Sequence, residues 1–248
     1  MTNLRQFLQS FLQRSVTALL PCSCALCQSQ SDEIVCHACH AAYFSSQPAR
    51  CTQCAQLMPP DAKTTHCGDC LQNPPAFDQT VVVCDYAAPM DQLVLALKFG
   101  HQPGLAPWFA RMQRDAILRD AGHTLPQILC AVPLSQARLQ ERGFNQAHEI
   151  SRYLSPHLGI PYRTRALQRV RNTLQQSGLK PHDRMTNIRN AFTPAADFVP
   201  DIRNAHIGVV DDVITTGLTL HEIATMLKRF GARQVTNYVF ARTPSHFM

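Results

Sequence analysis

His206-Ile207-Gly208-Val209-Val210-Asp211-Asp212-Val213-Ile214-Thr215-Thr216-Gly217-Leu218-Thr219-Leu220 is the stretch on which the fold of this chain turns. It begins as a short apolar run rich in β-branched residues, the pattern of a buried parallel strand over 206–210. Two carboxylates then stand side by side, followed by hydroxyls around a glycine. Leu220, Ile223, Ala224, Leu227 and Phe230 keep helical spacing, and Gly231 sits where a helix stop is expected. A strand that breaks into a Gly/Thr loop and then a helix leaves backbone N–H groups free at the helix N-terminus, a ready anion site. Thr215, Thr216 and Thr219 add hydroxyl donors, and Gly217 lets the backbone approach an anion with no side chain in the way. Asp211 and Asp212 stand one sugar-length away, where carboxylates accept hydrogen bonds from a vicinal diol.

A ribose carrying a 5′-phosphate meets these groups better than other common ligands. The plain alternative is an ordinary turn in which Asp212 or Thr215 caps the next helix; it accounts for one polar residue, not five in order. The stretch resembles the phosphoribosyl-pyrophosphate (PRPP) loop of type I phosphoribosyltransferases. That resemblance implies that the two acids hold the ribose hydroxyls and that the loop cradles the 5′-phosphate.

The 248 residues leave room for one large domain, or a medium one plus a small one. Eight of the 11 cysteines fall as four Cys-x-x-Cys pairs: Cys24/Cys27, Cys36/Cys39, Cys51/Cys54 and Cys67/Cys70. Paired spacing of this kind favours metal over a disulfide framework. Each such turn brings two sulfurs to one side of a knuckle, and two turns complete a tetrahedral four-sulfur site that suits Zn2+. The intervals of eight residues after Cys27 and twelve after Cys54 suit short hairpins, so sequential pairing gives two ribbons, with interleaved pairing left open. A segment so poor in apolar residues needs metal to fold. Zinc fits better than iron–sulfur or redox roles. His37, His40 and His66, next to ligand cysteines, read as surface residues, and Cys22, Cys84 and Cys130 as bystanders.

Residues 1–70 carry four Lys/Arg and four Asp/Glu, so the +6 formal charge lies beyond Cys70. Two divalent ions on eight thiolates would bring it to about +2, which weakens any argument for nucleic acid from overall charge. The N-terminus lacks the pattern of a signal peptide, since Gln6, Gln9, Gln13 and Arg14 interrupt the apolar residues. No stretch is apolar enough to span a membrane, and a reducing cytoplasm is the expected compartment.

Leu4, Phe7, Leu8, Phe11, Leu12, Val16, Leu19 and Leu20 fall on one face of an amphipathic helix stopped at Pro21. Such a helix is expected to dock on its own chain or an oligomer mate rather than on a partner protein or a membrane. Beyond the cysteines, Leu71-Gln72-Asn73-Pro74-Pro75 reads as a stiff linker. Strands are then expected at 80–86, 128–132, 160–162, 206–210 and 235–241, with helices at 90–99, 103–121 and 144–158. This alternation predicts an α/β fold with a mostly parallel sheet, helices on both faces and ligands at the strand C-terminal ends. The expected division is a helix over 1–21, a double zinc ribbon over 22–75 and the α/β domain over 76–248.

At the same edge of the sheet stands Pro133-Leu134-Ser135-Gln136-Ala137-Arg138-Leu139-Gln140-Glu141-Arg142-Gly143-Phe144-Asn145-Gln146. Its arginine forks suit a pyrophosphate, and the helix start adds N–H donors; the alternative is a solvated basic turn. Ser135 and Arg138 join the residues expected to contact the ligand. Further on, Arg163, Arg165, Arg169, Arg171, Lys180, Arg184 and Arg189 crowd a segment opposed only by Asp183. Its polar centre, Thr173-Leu174-Gln175-Gln176-Ser177-Gly178, reads as a long loop that closes over a phosphorylated ligand or tracks single-stranded DNA.

Together these pieces resemble the ComF family, an N-terminal double zinc ribbon joined to a type I phosphoribosyltransferase-like domain. The marks are the four Cys pairs, Pro74-Pro75-Ala76-Phe77-Asp78, Leu97-Lys98-Phe99, the 133–146 segment, Thr173-x-x-Gln176, Arg184-x-x-Asn187-x-x-x-Ala191-Phe192 and the Asp-Asp loop. Leu218 departs from the pattern, standing where Ala or Ser is common. The resemblance implies a role in DNA uptake or utilisation, in contact with proteins of the uptake machinery. Two activities fit it. One is a phosphoribosyltransferase using Mg2+-bound PRPP, with Asp211, Asp212, Arg138 and Arg142 as its catalytic set and pyrophosphate leaving toward the arginines. The other is a non-catalytic module that keeps the ribose-phosphate pocket for sensing nucleotides or gripping single strands.

Overall fold

The computed structural model describes residues 22–100, 102–119, 124–170 and 190–244. The 4–20 helix, the 173–178 centre and Arg171, Lys180, Arg184 and Arg189 lie outside the described residues. The chain divides between Gln47 and Pro48 into two compact units, a break that falls inside the 22–75 segment marked out by the cysteines. Among the described residues no helix is long and apolar enough to cross a membrane.

In the first unit, β1 (Cys22–Ser23) pairs antiparallel with β2 (Gln30–Ser31), and α1 (His37–Phe44) follows. Its buried side chains among the described residues are Cys24, Val35, Cys39 and Phe44. Two of these four are candidate metal ligands, so little apolar core remains to hold the unit by itself.

The second unit opens with the second cysteine group and α2 (Gly68–Gln72). Then follow β3 (Gln79–Asp85), α3 (Met90–Phe99), α4 (Ala106–Arg119) after a 3-10 turn at Pro103–Leu105, and β4 (Ile128–Ala131). After these come α5 (Gln136–Arg142), α6 (Gln146–Leu158), β5 (Leu167–Arg169), β6 (Phe192–Pro194), α7 (Val199–Ile202), β7 (His206–Ile214), α8 (Leu218–Arg229) and β8 (Gln234–Arg242). The main sheet runs β3-β8-β7-β4 with every pair parallel.

Both faces of the sheet are covered, as a parallel sheet requires. On one face Ile207, Val209, Val235 and Val239 pack with Leu220, Ile223, Ala224 and Leu227 of α8. Tyr238 and Phe240 alternate to the other face, where Phe240 lies 4.0 Å, centroid to centroid, from Phe109 of α4. Beside α4 packs α6, which buries Ala147, Ile150 and Leu154. Gly208 has no room for a side chain, since an added Cβ would stand 2.6 Å from Leu129 Cδ2. Cys84 and Cys130 are buried in this core, where burial pushes both thiols up to about 12 and leaves them unreactive.

The expected strand at 160–162 is reduced to one parallel bridge, Leu129 to Tyr162. Pro161 supplies a carbonyl to Leu129 N–H at 2.9 Å but has no N–H to extend the ladder. The helix expected from 144 starts at Gln146 because the Asn145 side chain caps it, accepting His148 N–H at 3.3 Å. The largest difference lies in the central strand, which runs to Ile214 rather than 210. Its pairing with β8 continues to Ile214 opposite Arg242, whereas its pairing with β4 ends at Ala131 opposite Val210. The last residues of β7 therefore carry one open edge. From β4 the chain turns outward toward Tyr162, and from β7 it crosses the other way to β8, so the connections diverge at this edge. Divergence of this kind opens a crevice at the strand C-terminal ends.

Candidate functional site

Asp211 and Asp212 lie inside β7, and the loop proper starts at Thr215. Strand alternation sends Asp211 to the side of Val209 and Asp212 to the side of Val210. Both nonetheless border a single cavity of about 420 Å³ in the crevice, together with Thr215 and Thr219. Arg138 and Arg142 of α5 border it as well, as do Lys98 and Phe99 of α3, Tyr86 and Arg169. Lys98 Nζ stands 3.2 Å from Asp212 Oδ2, and Asp211 Oδ1 accepts the Asp212 N–H at 2.9 Å. Burial, and then the neighbouring Asp212 charge, raise Asp211 to about 8, well above the usual carboxylate range.

Gly217 is the N-cap of α8, with φ +79° and no side chain capping the helix. The capping role open to Asp212 or Thr215 is therefore not what these residues perform. Among the described residues only Thr216 Oγ1 reaches the helix start, accepting the Leu218 N–H at 3.4 Å. The first-turn N–H groups, which have no partner inside a helix, border a small nook of about 30 Å³ with Asp211 and Thr215. Nook and main cavity share Asp211, Thr215 and Thr219. Leu218 is partly buried and packs against the core.

Arg142 is buried, bonded through Nη1 to Gln146 Oε1 at 3.1 Å and stacked 5.1 Å above the Phe99 ring centre. Its Nε has no partner among the described residues, and burial lowers its pKa. Ser135 serves locally: its Oγ accepts the Arg138 N–H at 3.4 Å as the N-cap of α5, and it does not border the cavity. Lys98 and Tyr86 line the cavity without having been expected there as ligand contacts. Lys98 stands in the Leu97-Lys98-Phe99 stretch noted as a family mark, and that stretch was the signal that could have found it. Arg169, read as part of the basic segment, lines the cavity and has its guanidinium 5.6 Å from the Phe192 ring centre.

The eight paired cysteines gather as Cys24, Cys27, Cys36 and Cys39 in the first unit and as Cys51, Cys54, Cys67 and Cys70 in the second. Pairing is thus sequential, not interleaved. In each group the four sulfurs lie within 4.8 Å of one another, and all are free thiols. Backbone N–H groups of Leu26 and Cys36 point at Cys24 Sγ, at 3.5 and 3.3 Å, as in a thiolate knuckle. Cys36 and Cys67 each precede a helix that carries the fourth cysteine. This donor set fits a tetrahedral divalent ion such as zinc. His37 and His40 are exposed and stand outside both groups, as does His66.

The family described as "Phosphoribosyl transferase domain" matches residues 139–246. Competence protein F of Haemophilus influenzae is 37% identical over 181 residues, covering 71% of this chain and 78% of that protein. DNA utilization protein YhgH of Escherichia coli (strain K12) is 36% identical over 196 residues, covering 78% and 84%. Its namesake in Salmonella typhi is 34% identical over 230 residues, covering 90% and 98%. With identity sustained over these lengths, and with two four-cysteine groups accompanying a phosphoribosyltransferase-like parallel sheet, the chain belongs to the ComF family of competence and DNA-utilisation proteins.

Proposed function

We propose that the chain binds a ribose 5-phosphate ligand, with Mg2+-PRPP as the leading candidate, and that it does so in DNA uptake or utilisation. One observation carries the reading: two adjacent carboxylates, two threonines and four cationic side chains surround a single cavity beside an uncapped helix N-terminus. Asp211 and Asp212 accept the ribose hydroxyls, while Thr215, Thr216, Gly217 and Thr219 hold the 5′-phosphate. Arg138 and Arg142 face the pyrophosphate, Arg142 with an Nε still free to donate. Mg2+ bound with PRPP supplies neutralising charge to the pyrophosphate. Zinc in both cysteine groups is structural. The role in DNA uptake rests on the names of the relatives.

A second reading, a phosphoribosyltransferase acting on a nucleobase or amine acceptor, is favoured by Lys98, Arg138 and Arg142 sharing the cavity with the diol acids. Such chemistry depends on electrostatic stabilisation of departing charge rather than on a general base. Calorimetry with PRPP, with and without Mg2+, tests binding, and pyrophosphate release in the presence of acceptor bases tests turnover. Losing one charge-assisted hydrogen bond costs about 1.5–3 kcal/mol, so Asp212→Ala should weaken PRPP about tenfold or more. Unchanged binding in both Asp211→Ala and Asp212→Ala would refute the assignment.

A further inference from the structure

Arg242, the last residue of β8, is buried and forms three hydrogen bonds that join two sites of the second unit. Its Nη1 donates to the Thr215 carbonyl, the first of the phosphate loop, at 2.6 Å. Nε and Nη2 both donate to Gln56 Oε1, at 3.3 and 3.2 Å. Gln56 in turn closes the knuckle of the second cysteine group, its carbonyl accepting the Cys51 N–H at 2.8 Å. Within that knuckle Ala55 adopts φ +60° and donates its N–H to the Cys51 carbonyl at 2.8 Å.

Little slack exists along this path. Arg242 is in register with Ile214, and Thr243 N–H bonds the Ile214 carbonyl at 2.9 Å, so the guanidinium is anchored beside the residue that precedes the loop. Fixing the Thr215 carbonyl fixes the plane of the next peptide and hence the direction of the Thr216 N–H. A divalent ion on four thiolates leaves a net charge of about −2 at the second centre. Burial lowers the Arg242 pKa, and the charges of Cys54, Cys67, Cys70 and Cys51 act in the opposite direction. Cys54, Cys70 and Arg242 border the same cavity, of about 560 Å³, on the ribbon side of the loop.

We propose that Arg242 is a positioning residue that couples the second cysteine centre to the phosphate loop, so that metal occupancy and ribose-phosphate affinity depend on one another. The ligand half of this inference rests on the proposed ribose-phosphate reading. The mechanical half, a loop held by the ribbon, does not. Lysine cannot replace the arginine, because one ammonium lacks the fork that spans both carbonyls.

The test uses the full chain loaded with Co2+, whose thiolate absorption reports on the four-sulfur sites, with ribose 5-phosphate as the probe. Arg242→Met and Gln56→Met should each keep two metals per chain while hydrogen exchange across 213–219 speeds up in the unliganded protein. Ribose 5-phosphate affinity should fall about tenfold, within the ordinary range of coupling between sites, and its effect on the cobalt absorption should vanish. Gln56→Met keeps the question decidable where Arg242→Met does not fold. The control is Asp85→Asn, which breaks the 2.8 Å ion pair from Arg50 of the ribbon to β3 and leaves the loop contacts intact. It should lower the melting temperature without loosening the loop. Unchanged loop exchange in both bridge variants, or equal loosening in Asp85→Asn, overturns the proposal. Absence of ribose 5-phosphate binding in the wild type would defeat the pocket reading alone, since the exchange measurement still decides the bridge.

Discussion

Burial and the adjoining Asp212 carboxylate hold Asp211 at about 8, so near neutrality the pair retains a proton that two separate aspartates would lose. Unfolded, the same group titrates near the ordinary aspartate value of 3.8. A carboxyl whose folded pKa lies above its unfolded value binds the proton more tightly in the folded state. Stability from this group is therefore lost as pH rises from about 4 to about 8. Asp211→Asn removes the ionisation, so its melting temperature should exceed that of the wild type at pH 8.5 by more than at pH 5.5. An equal shift at both values would show that Asp211 does not titrate in this window. The same substitution should abolish the rise in Mg2+-PRPP affinity expected of the wild type as pH passes through 8.

At the scale of elements, the loop depends on one backbone conformation. Gly217 has φ +79°, and an added Cβ would meet only ordinary contacts, Ile214 Cδ1 at 3.5 Å and Phe77 Cζ at 3.7 Å. The penalty of Gly217→Ala is therefore backbone strain of about 1–2 kcal/mol, measurable by urea denaturation with the m-value unchanged. A larger loss would indicate that the loop packs more tightly than these distances imply. This strand–loop–helix unit was legible in the sequence because its signals are local: β-branched residues, paired acids, a glycine between threonines and helical spacing. The length of β7 was not, since Val213 and Ile214 join the sheet only because β8 extends to Arg242 beside them. Likewise β5 and β6 pair antiparallel across more than twenty intervening residues, a contact with no local signal. Arg242 reaches the loop by side-chain length from a strand whose sequence advertises only packing, whereas Lys98 was marked only as part of Leu97-Lys98-Phe99, with no role attached.

For the whole molecule, the cysteine spacing marked out the eight paired thiols but neither their sequential grouping nor the different settings of the two groups. In the second unit Cys51, Cys54 and Cys70 belong to the core cluster that also holds Phe77, Ile214 and α8. The first unit has no such core among its described residues. Purified protein should contain two zinc ions per chain, and a chelator should open 22–47 to proteolysis before the sheet is lost. Protection of 22–47 after full chelation would show that metal does not hold it. The same unequal distribution of partners bears on DNA. Of the basic residues at 163–189, Arg163 pairs with Asp201 and Arg169 lines the cavity, while Arg165 is exposed. If the segment carries single-stranded DNA, affinity should fall with salt at a log–log slope of about −0.7 per phosphate contact. Arg165→Ala should then reduce the slope by about one contact and leave ribose 5-phosphate binding unchanged. Arg169→Ala should weaken both ligands, because the same guanidinium serves the cavity and the segment. Sequence preference should be slight, since such contacts position a backbone and read no bases. No binding to a single-stranded oligonucleotide at low salt, or an unchanged slope in Arg165→Ala with Arg171→Ala, would show that this segment does not carry DNA. Competition separates the remaining cases: saturating ribose 5-phosphate should displace DNA held through Arg169 and leave DNA held through Arg165 in place.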